Sequence, residues 1–369
     1  KCYKLRSQVL GKDHLDTIKS THLLGLYYYN EKDYDEAKTF LKESTKLFYT
    51  VVGIENDLTI QSLNLLSLVY EKKELYSMAI NHLTEIHQYT EELYGEKNEF
   101  SLNNLYRMAK LYLQIDIQKS QFCIQQYYQK CFNAFGLANL FTTKAVYLIG
   151  KLMIETKDYN QANQTFRTTL TLLRDFTSEL SKESLDCLND VGISYFYLKD
   201  YEKCKEMLEM YESLIETKLS SLNSNSKSNS KLSYLSINPI TSLSNLKYQI
   251  KNSLKMKDYE LTNRLNEKYY NICIAKYGKK HQETIESVRI FVEMNEETNN
   301  YKKLIKYLKI LLEIKEEIYG SIHSETIGVK YELSQAYKKN NQGKKAEELM
   351  KTMISFSMSL TEQQQQQQQ

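Results

Sequence analysis

YGKKHQET, Tyr277–Thr284, returns forty-two residues later as YGSIHSET, Tyr319–Thr326, and stands near the start of the chain as LGKDHLDT, Leu10–Thr17. A catalytic motif is needed once, whereas a phrase that recurs at a fixed spacing belongs to the architecture. Its glycine keeps a register. Gly11, Gly53, Gly95 and Gly136 follow one another by 42, 42 and 41 residues, Ser178 continues the series at 42, and Gly278 and Gly320 are again 42 apart. From Ser178 to Gly278 the chain runs 100 residues, two periods plus 16.

Two further marks share the period. Small residues recur in pairs twelve apart: Gly25 with Ala37, Ser67 with Ala79, Gly150 with Ala162, Gly192 with Cys204 and Ser334 with Ala346. Between most of these pairs stands Lys-Asp-Tyr, at Lys32–Tyr34, Lys157–Tyr159 and Lys199–Tyr201, and again at Lys257–Tyr259. Apolar residues before that slot (Leu188, Val191, Tyr195) and after it (Tyr201, Cys204, Leu208, Tyr211) are spaced three or four apart. Two such stripes with a short polar break read as helix A, turn, helix B. The small pairs mark the place where the two helices cross. One hairpin cannot cover its own apolar face, so neighbours must stack.

Composition agrees. One proline and 11 glycines in 369 residues are too few for a sheet-rich fold, and 31 tyrosines suit helix seams that border water. The net charge of +3 is no electrostatic footprint for nucleic acid. Six cysteines without a C-x-x-C spacing read as small core residues in a reducing, cytoplasmic setting, not as a disulfide or zinc framework. No apolar run reaches the roughly 18 residues of a membrane span, and no signal peptide opens the chain.

Small residues twelve apart, an aromatic three after the first and an Asp-Tyr turn resemble the tetratricopeptide repeat (TPR). The 42-residue period with its G-x-x-H-x-x-T link resembles the kinesin light chain variety. LNLLSLVYEKKELYSMA (Leu63–Ala79) and LNDVGISYFYLKDYEKC (Leu188–Cys204) carry the pattern, which covers nearly the whole chain. The resemblance implies an all-α fold, an α-α superhelix (solenoid) of about eight stacked TPR-like hairpins. The departures are local. The family's closing prolines are missing, the third repeat is one residue short around Ile117–Ser120, and the sixth has Ile250 and Thr262 at its small positions.

The domain reading follows. Residues 1–10 match the end of a preceding repeat's helix B, which suggests a longer protein with more repeats or another domain upstream. Residues 11–219 hold repeats one to five and 243–358 repeats six to eight. The Ser/Asn-rich stretch 220–242 reads as a flexible insertion, and 359–369 as a disordered polyglutamine tail.

No phosphate-cradling glycine loop and no H-E-x-x-H appear, so no catalytic residue, cofactor or metal is assigned. Histidines at the junctions read as packing or capping residues. Function should then lie on the helix A face that lines a repeat groove. By register that face carries Gln61, Asn64, Leu68 and Glu71, then Asn103, Tyr106 and Lys110, then Lys144, Tyr147 and Lys151. Asp186, Asn189 and Ile193 follow in the fifth repeat, Lys247, Lys251 and Lys255 in the sixth, and Glu286, Arg289 and Glu293 in the seventh. Asn64 and Asn189 match the family's peptide-holding asparagine, so the resemblance implies that role for them. The lysines would favour an extended segment with acidic groups, and Tyr106 and Tyr147 apolar contact. Three readings remain: an adaptor that binds a protein segment, a regulatory module of a larger signalling enzyme or motor-associated protein, and, disfavoured by the balanced charge, a nucleic-acid binder.

Overall fold

The recurring phrase becomes a turn in which each of its marked residues has a part. Gly278 ends one helix with φ 83° and ψ 176°, a conformation open essentially to glycine alone. His281 caps the next helix, its Nδ1 accepting from the Glu283 N–H at 3.2 Å while its ring stacks on Tyr277 at 4.2 Å. Thr284 Oγ1 donates back to the Gly278 carbonyl at 2.8 Å. His323, Tyr319 and Thr326 repeat the arrangement around Gly320. Elsewhere the cap is Asn56, Asn98, Asn139 or Ser181. A side-chain acceptor at this place satisfies an orphan N–H of the helix start.

The Lys-Asp-Tyr slot is the other turn. Lys32, Lys157, Lys199 and Lys257 take positive φ between 61° and 65°. Asp33, Asp158 and Asp258 then cap helix B through the N–H of Glu36, Gln161 and Leu261, and the tyrosine is the first helical residue. Asp33 N–H reaches back to the Tyr28 carbonyl at 3.0 Å and Lys32 N–H to Tyr29 at 3.1 Å, which closes helix A in a Schellman pattern.

The structure, a computed structural model, describes residues 2–178, 181–224, 239–351 and 353; the central part of the expected insertion, 225–238, and the polyglutamine tail lie outside them. The described residues are helical, without a strand, and divide into two compact units, Lys1–Leu198 and Lys199–Gln369.

Unit 1 holds α1 (Cys2–Val9), then alternating A and B helices: α2 (Leu15–Asn30), α3 (Tyr34–Val52), α4 (Asp57–Lys72), α5 (Tyr76–Tyr94), α6 (Glu99–Ile115), α7 (Ile117–Phe135), α8 (Leu140–Glu155), α9 (Tyr159–Phe176) and α10 (Lys182–Tyr197). Each helix packs on its chain neighbours. The crossings are as close as the small pairs demand. A Cβ on Gly25 would lie 2.6 Å from the Leu41 side chain, and one on Gly150 2.6 Å from the Phe166 ring. Ala37, Ala79 and Ala162 are wholly buried. The core runs between the helices in clusters, among them one around Leu41, Val69 and Leu83 and another around Leu105, Tyr127 and Leu148.

The short third repeat loses its residue at the A–B turn. Asp116 alone joins α6 to α7, receiving no positive-φ residue before it, and both ends α6 and caps α7 at the Lys119 N–H.

Unit 2 holds α11 (Tyr201–Ser224), α12 (Pro239–Lys255), α13 (Tyr259–Tyr277), α14 (Gln282–Glu297), α15 (Tyr301–Tyr319), α16 (Ser324–Lys339) and a helix over 343–351. Pro239 stands at the first helical position, where its missing N–H costs nothing. Two apolar clusters centre on Ile250 and Tyr269, and on Leu308 and Val329. The fold is a TPR-like helical repeat solenoid.

Candidate functional site

In unit 1 the helix A face is set by α4, α6, α8 and α10. One register recurs on them: Asn64 and Leu68, Tyr106 and Lys110, Tyr147 and Lys151 are exposed or half-buried, whereas Asn189 and Ile193 at the same places on α10 are buried. Lys110 sits among charged groups of neighbouring A helices. Its side chain is exposed, yet loss of surrounding water pushes the ammonium below its ordinary pKa, and Lys182 of α10 and Lys151 of α8 add to this. Asp186 of α10 and Glu71 of α4 act in the opposite sense. Charged groups from four successive A helices thus converge on one lysine. Tyr106 is held well above its ordinary pKa, first by lost water and then by Asp186, Glu183 and Asp190, all two repeats away on α10.

Most of the cations expected to grip a ligand already have a partner one repeat on. Lys144 pairs with Glu183 at 3.2 Å. Lys151 donates to Asp190 Oδ1 at 3.1 Å, and Tyr147 Oη to Asp190 Oδ2 at 2.6 Å. Burial opposes the charge on Lys151, but Asp190 outweighs it and holds the ammonium above its ordinary pKa. Lys110 is different. Among the described residues it has no ion pair, and its ammonium lies 5.7 Å from the centre of the Tyr106 ring.

The asparagines depart from the expectation. Asn189 is 2% exposed, because α10 is buried almost without a break from Ser184 to Ser194, its groove-side residues included. It therefore does not line an open surface. Asn64 is half-buried, and its Oδ1 accepts from Arg107. Arg107, which the sequence reading passes over, ties α6 to α4: it also donates to Glu71 at 2.9 Å and to Ser67 Oγ at 2.8 Å. A signal was present. Opposite charges stand about one period apart, 36 residues for Glu71 and Arg107 and 39 for Lys151 and Asp190.

Unit 2 repeats the theme on its own A helices. Lys247 of α12 pairs with Glu283 at 3.0 Å and Glu286 at 2.6 Å, and Lys251 with Glu286 at 2.7 Å. Burial disfavours the Glu286 carboxylate, but these two lysines outweigh that and hold its pKa below the ordinary value. Lys255 meets Glu293 at 3.1 Å and Arg289 meets Glu332 at 2.5 Å. The acidic seventh repeat and the basic sixth, legible in sequence as separate patches, neutralise each other.

No family model matches the chain, and no curated protein matches it. Solved structures do. The quorum sensor NprR from B. thuringiensis, in its apo form, aligns at a TM-score of 0.56 with 13% identity, over 92% of this chain and 87% of that one. A Signal Transduction ATPase with Numerous Domains from Pyrococcus horikoshii, described as having a tetratricopeptide repeat sensor, aligns at 0.55 with 13% identity, over 90% of this chain and 48% of that one. A Rap protein complexed with Competence and Sporulation Factor aligns at 0.53 with 11% identity, over 85% and 83%. At such identities the likeness is one of fold, and it places the chain among TPR-like repeat structures.

Proposed function

We propose that the chain is a protein-interaction module that holds a peptide or helical segment of a partner on the concave helix A face of unit 1. The observation that carries this reading is Lys110: an unpaired ammonium beside Tyr106, on a face whose other cations are satisfied from within. A concave, poorly hydrated surface strengthens any charge contact made there. Paired lysines have little to offer a strongly acidic ligand, so the segment that fits is mainly apolar with few carboxylates. The fold likeness is in keeping with this, since one similar structure was captured with Competence and Sporulation Factor. A second reading, a sensor module within a larger signalling protein, takes support from the ATPase in which a similar array makes up about half the chain.

The test is affinity capture followed by cross-linking, with wild type set against Lys110→Glu and Tyr106→Ala. Lys110 is exposed, so Lys110→Glu should leave far-ultraviolet circular dichroism unchanged; Tyr106 packs on the buried Tyr127 ring at 5.6 Å, so the fold of Tyr106→Ala is checked by the same measurement. The partner should be lost or weakened at least about tenfold, the range of a truncated buried contact. Capture that survives both substitutions rejects the helix A face as the binding surface.

A further inference from the structure

A second surface lies at the B-to-A junctions of the second and third repeats, away from the helix A face. Three large apolar side chains stand open there: Val51 at 46% exposure, Leu93 at 53% and Tyr94 at 48%. They are not isolated. At the same junctions Ile54, Tyr89 and Phe100 are half-buried and pack together on the buried Ile60, Leu63 and Ile86. The apolar surface therefore continues from the end of α3, across the junction, to the end of α5 and the start of α6. Single exposed apolar residues are ordinary, but a contiguous patch with a polar rim marks an interaction site.

The rim is one-sided in charge. Glu55, Asp57, Glu92, Glu96 and Glu99 are all exposed, against Lys97. Asp57 and Glu99 sit in the first turns of α4 and α6, where they favour the helix dipole. Even without these two, three carboxylates face Lys97 and Lys130, and Lys130 is already paired with Glu91; among the described residues none of the three has an ion pair. Loss of water, then Glu55, Tyr94 and Asp57, hold the Tyr89 hydroxyl above its ordinary pKa, so Glu55 and Asp57 lie near Tyr89.

We propose that this edge docks a basic amphipathic helix of a partner protein. Charge selects the basic partner: lysines or arginines flanking an apolar stripe would meet the five carboxylates as the stripe covers Val51, Leu93 and Tyr94. The surface selects a helix. Its own backbone is closed within α3, α5 and α6, so an extended strand would find no ladder for its N–H and C=O groups, whereas a helix brings its own hydrogen bonds.

The experiment titrates the full chain with two fluorescent amphipathic helices of about 18 residues, one of leucine and lysine, the other of leucine and glutamate. Wild type should bind the lysine peptide at least about tenfold more tightly. The triple variant Glu55→Lys, Glu92→Lys, Glu96→Lys should reverse the preference, and Val51→Ser with Leu93→Ser should weaken both peptides. The reversal caused by the triple variant should persist in a Lys110→Glu background, which separates this edge from the helix A face. Equal binding of the two peptides, or a preference that survives the triple reversal, overturns the proposal. So does a dimer in sedimentation that the serine pair abolishes, since the occupant would then be a second copy of the chain. The charge-reversal variant touches exposed residues only and decides the matter if the serine pair fails to fold.

Discussion

Three histidines of unit 1 illustrate what burial does to a single titratable side chain. His22 contacts Ser62 Oγ at 3.3 Å, His82 stacks on Tyr70 at 5.7 Å, and His87 contacts Ser101 Oγ at 3.1 Å. Each is held below the ordinary imidazole value of 6.5, first of all by the water it loses; Glu85 partly offsets this at His82, and Glu91 at His87. The folded chain thus binds fewer protons than the unfolded one once the pH falls below that value. Their contribution to stability is complete above about 6.5 and is lost progressively as the pH falls beneath it. The urea midpoint should be lower at pH 5.5 than at pH 7.5. His82→Phe keeps a ring against Tyr70 without a titrating group, and should narrow the gap; a midpoint that rises on acidification refutes the assignment. Asn104 makes the complementary case. It is wholly buried, and neither atom of its amide has a protein partner, where the same register holds Ser62, Ala145 and Cys187. Asn104→Leu, close in shape, should raise stability by about 1–3 kcal/mol, the desolvation cost of unpaired polar groups. A lower melting temperature would mean that the amide is satisfied after all.

At the scale of elements, the glycines separate crossing from spacing. Gly150 sits where α8 meets α9, and a methyl group there would strike Phe166. Gly150→Ala should therefore destabilise by about 1–3 kcal/mol, the usual cost of overpacking. Gly328 in α16 has ordinary φ and open space around its Cβ position. Gly328→Ala should stabilise by about 0.5–1 kcal/mol, because alanine loses less backbone freedom on folding. Thermal melts of the two variants should move in opposite directions, and a shared direction would show that the crossing is not what holds Gly150. These crossings were legible in the sequence because close packing leaves a periodic trace: Gly25 with Ala37, Gly150 with Ala162. So were the junctions, since Gly278, His281 and Thr284 each make a distinct bond in the same turn. The equivalent caps Asn56, Asn98 and Asn139 were harder to see, because asparagine does the same work without repeating the letter. The candidate site was legible only in outline. Register assigns Lys144, Lys151, Lys247 and Lys251 to the helix A face, but it does not reveal that Glu183, Asp190 and Glu286, one hairpin on, reach back to them. Pairing is a relation between repeats, and inspection of one repeat at a time misses it.

Those inter-repeat bonds matter most at the scale of a whole unit. In a stacked array each hairpin touches only its neighbours, so stability is close to a sum of hairpin terms and interface terms, and cooperativity rests on the interfaces. Arg107 is a strong single link of this kind in unit 1. It bonds Asn64, Ser67 and Glu71 of α4 from α6, with 12% of its side chain exposed. Lys151 and Tyr147 of α8, both on Asp190 of α10, form a second such link further along. If Arg107 only held its own region, Arg107→Ala would lower the midpoint and leave the transition as steep as before. If it couples neighbours, its loss leaves the Glu71 carboxylate without its guanidinium and frees the hairpins before it from those after it. The expected result is a loss of about 1–3 kcal/mol together with a shallower urea transition, since unit 1 no longer unfolds cooperatively. Hydrogen exchange should then show α2–α5 opening separately from α6–α10. Arg107→Lys should not rescue the steepness, because an ammonium cannot span three acceptors in the fork geometry of a guanidinium. An unchanged slope with uniform exchange across unit 1 would place the coupling in the apolar seams instead.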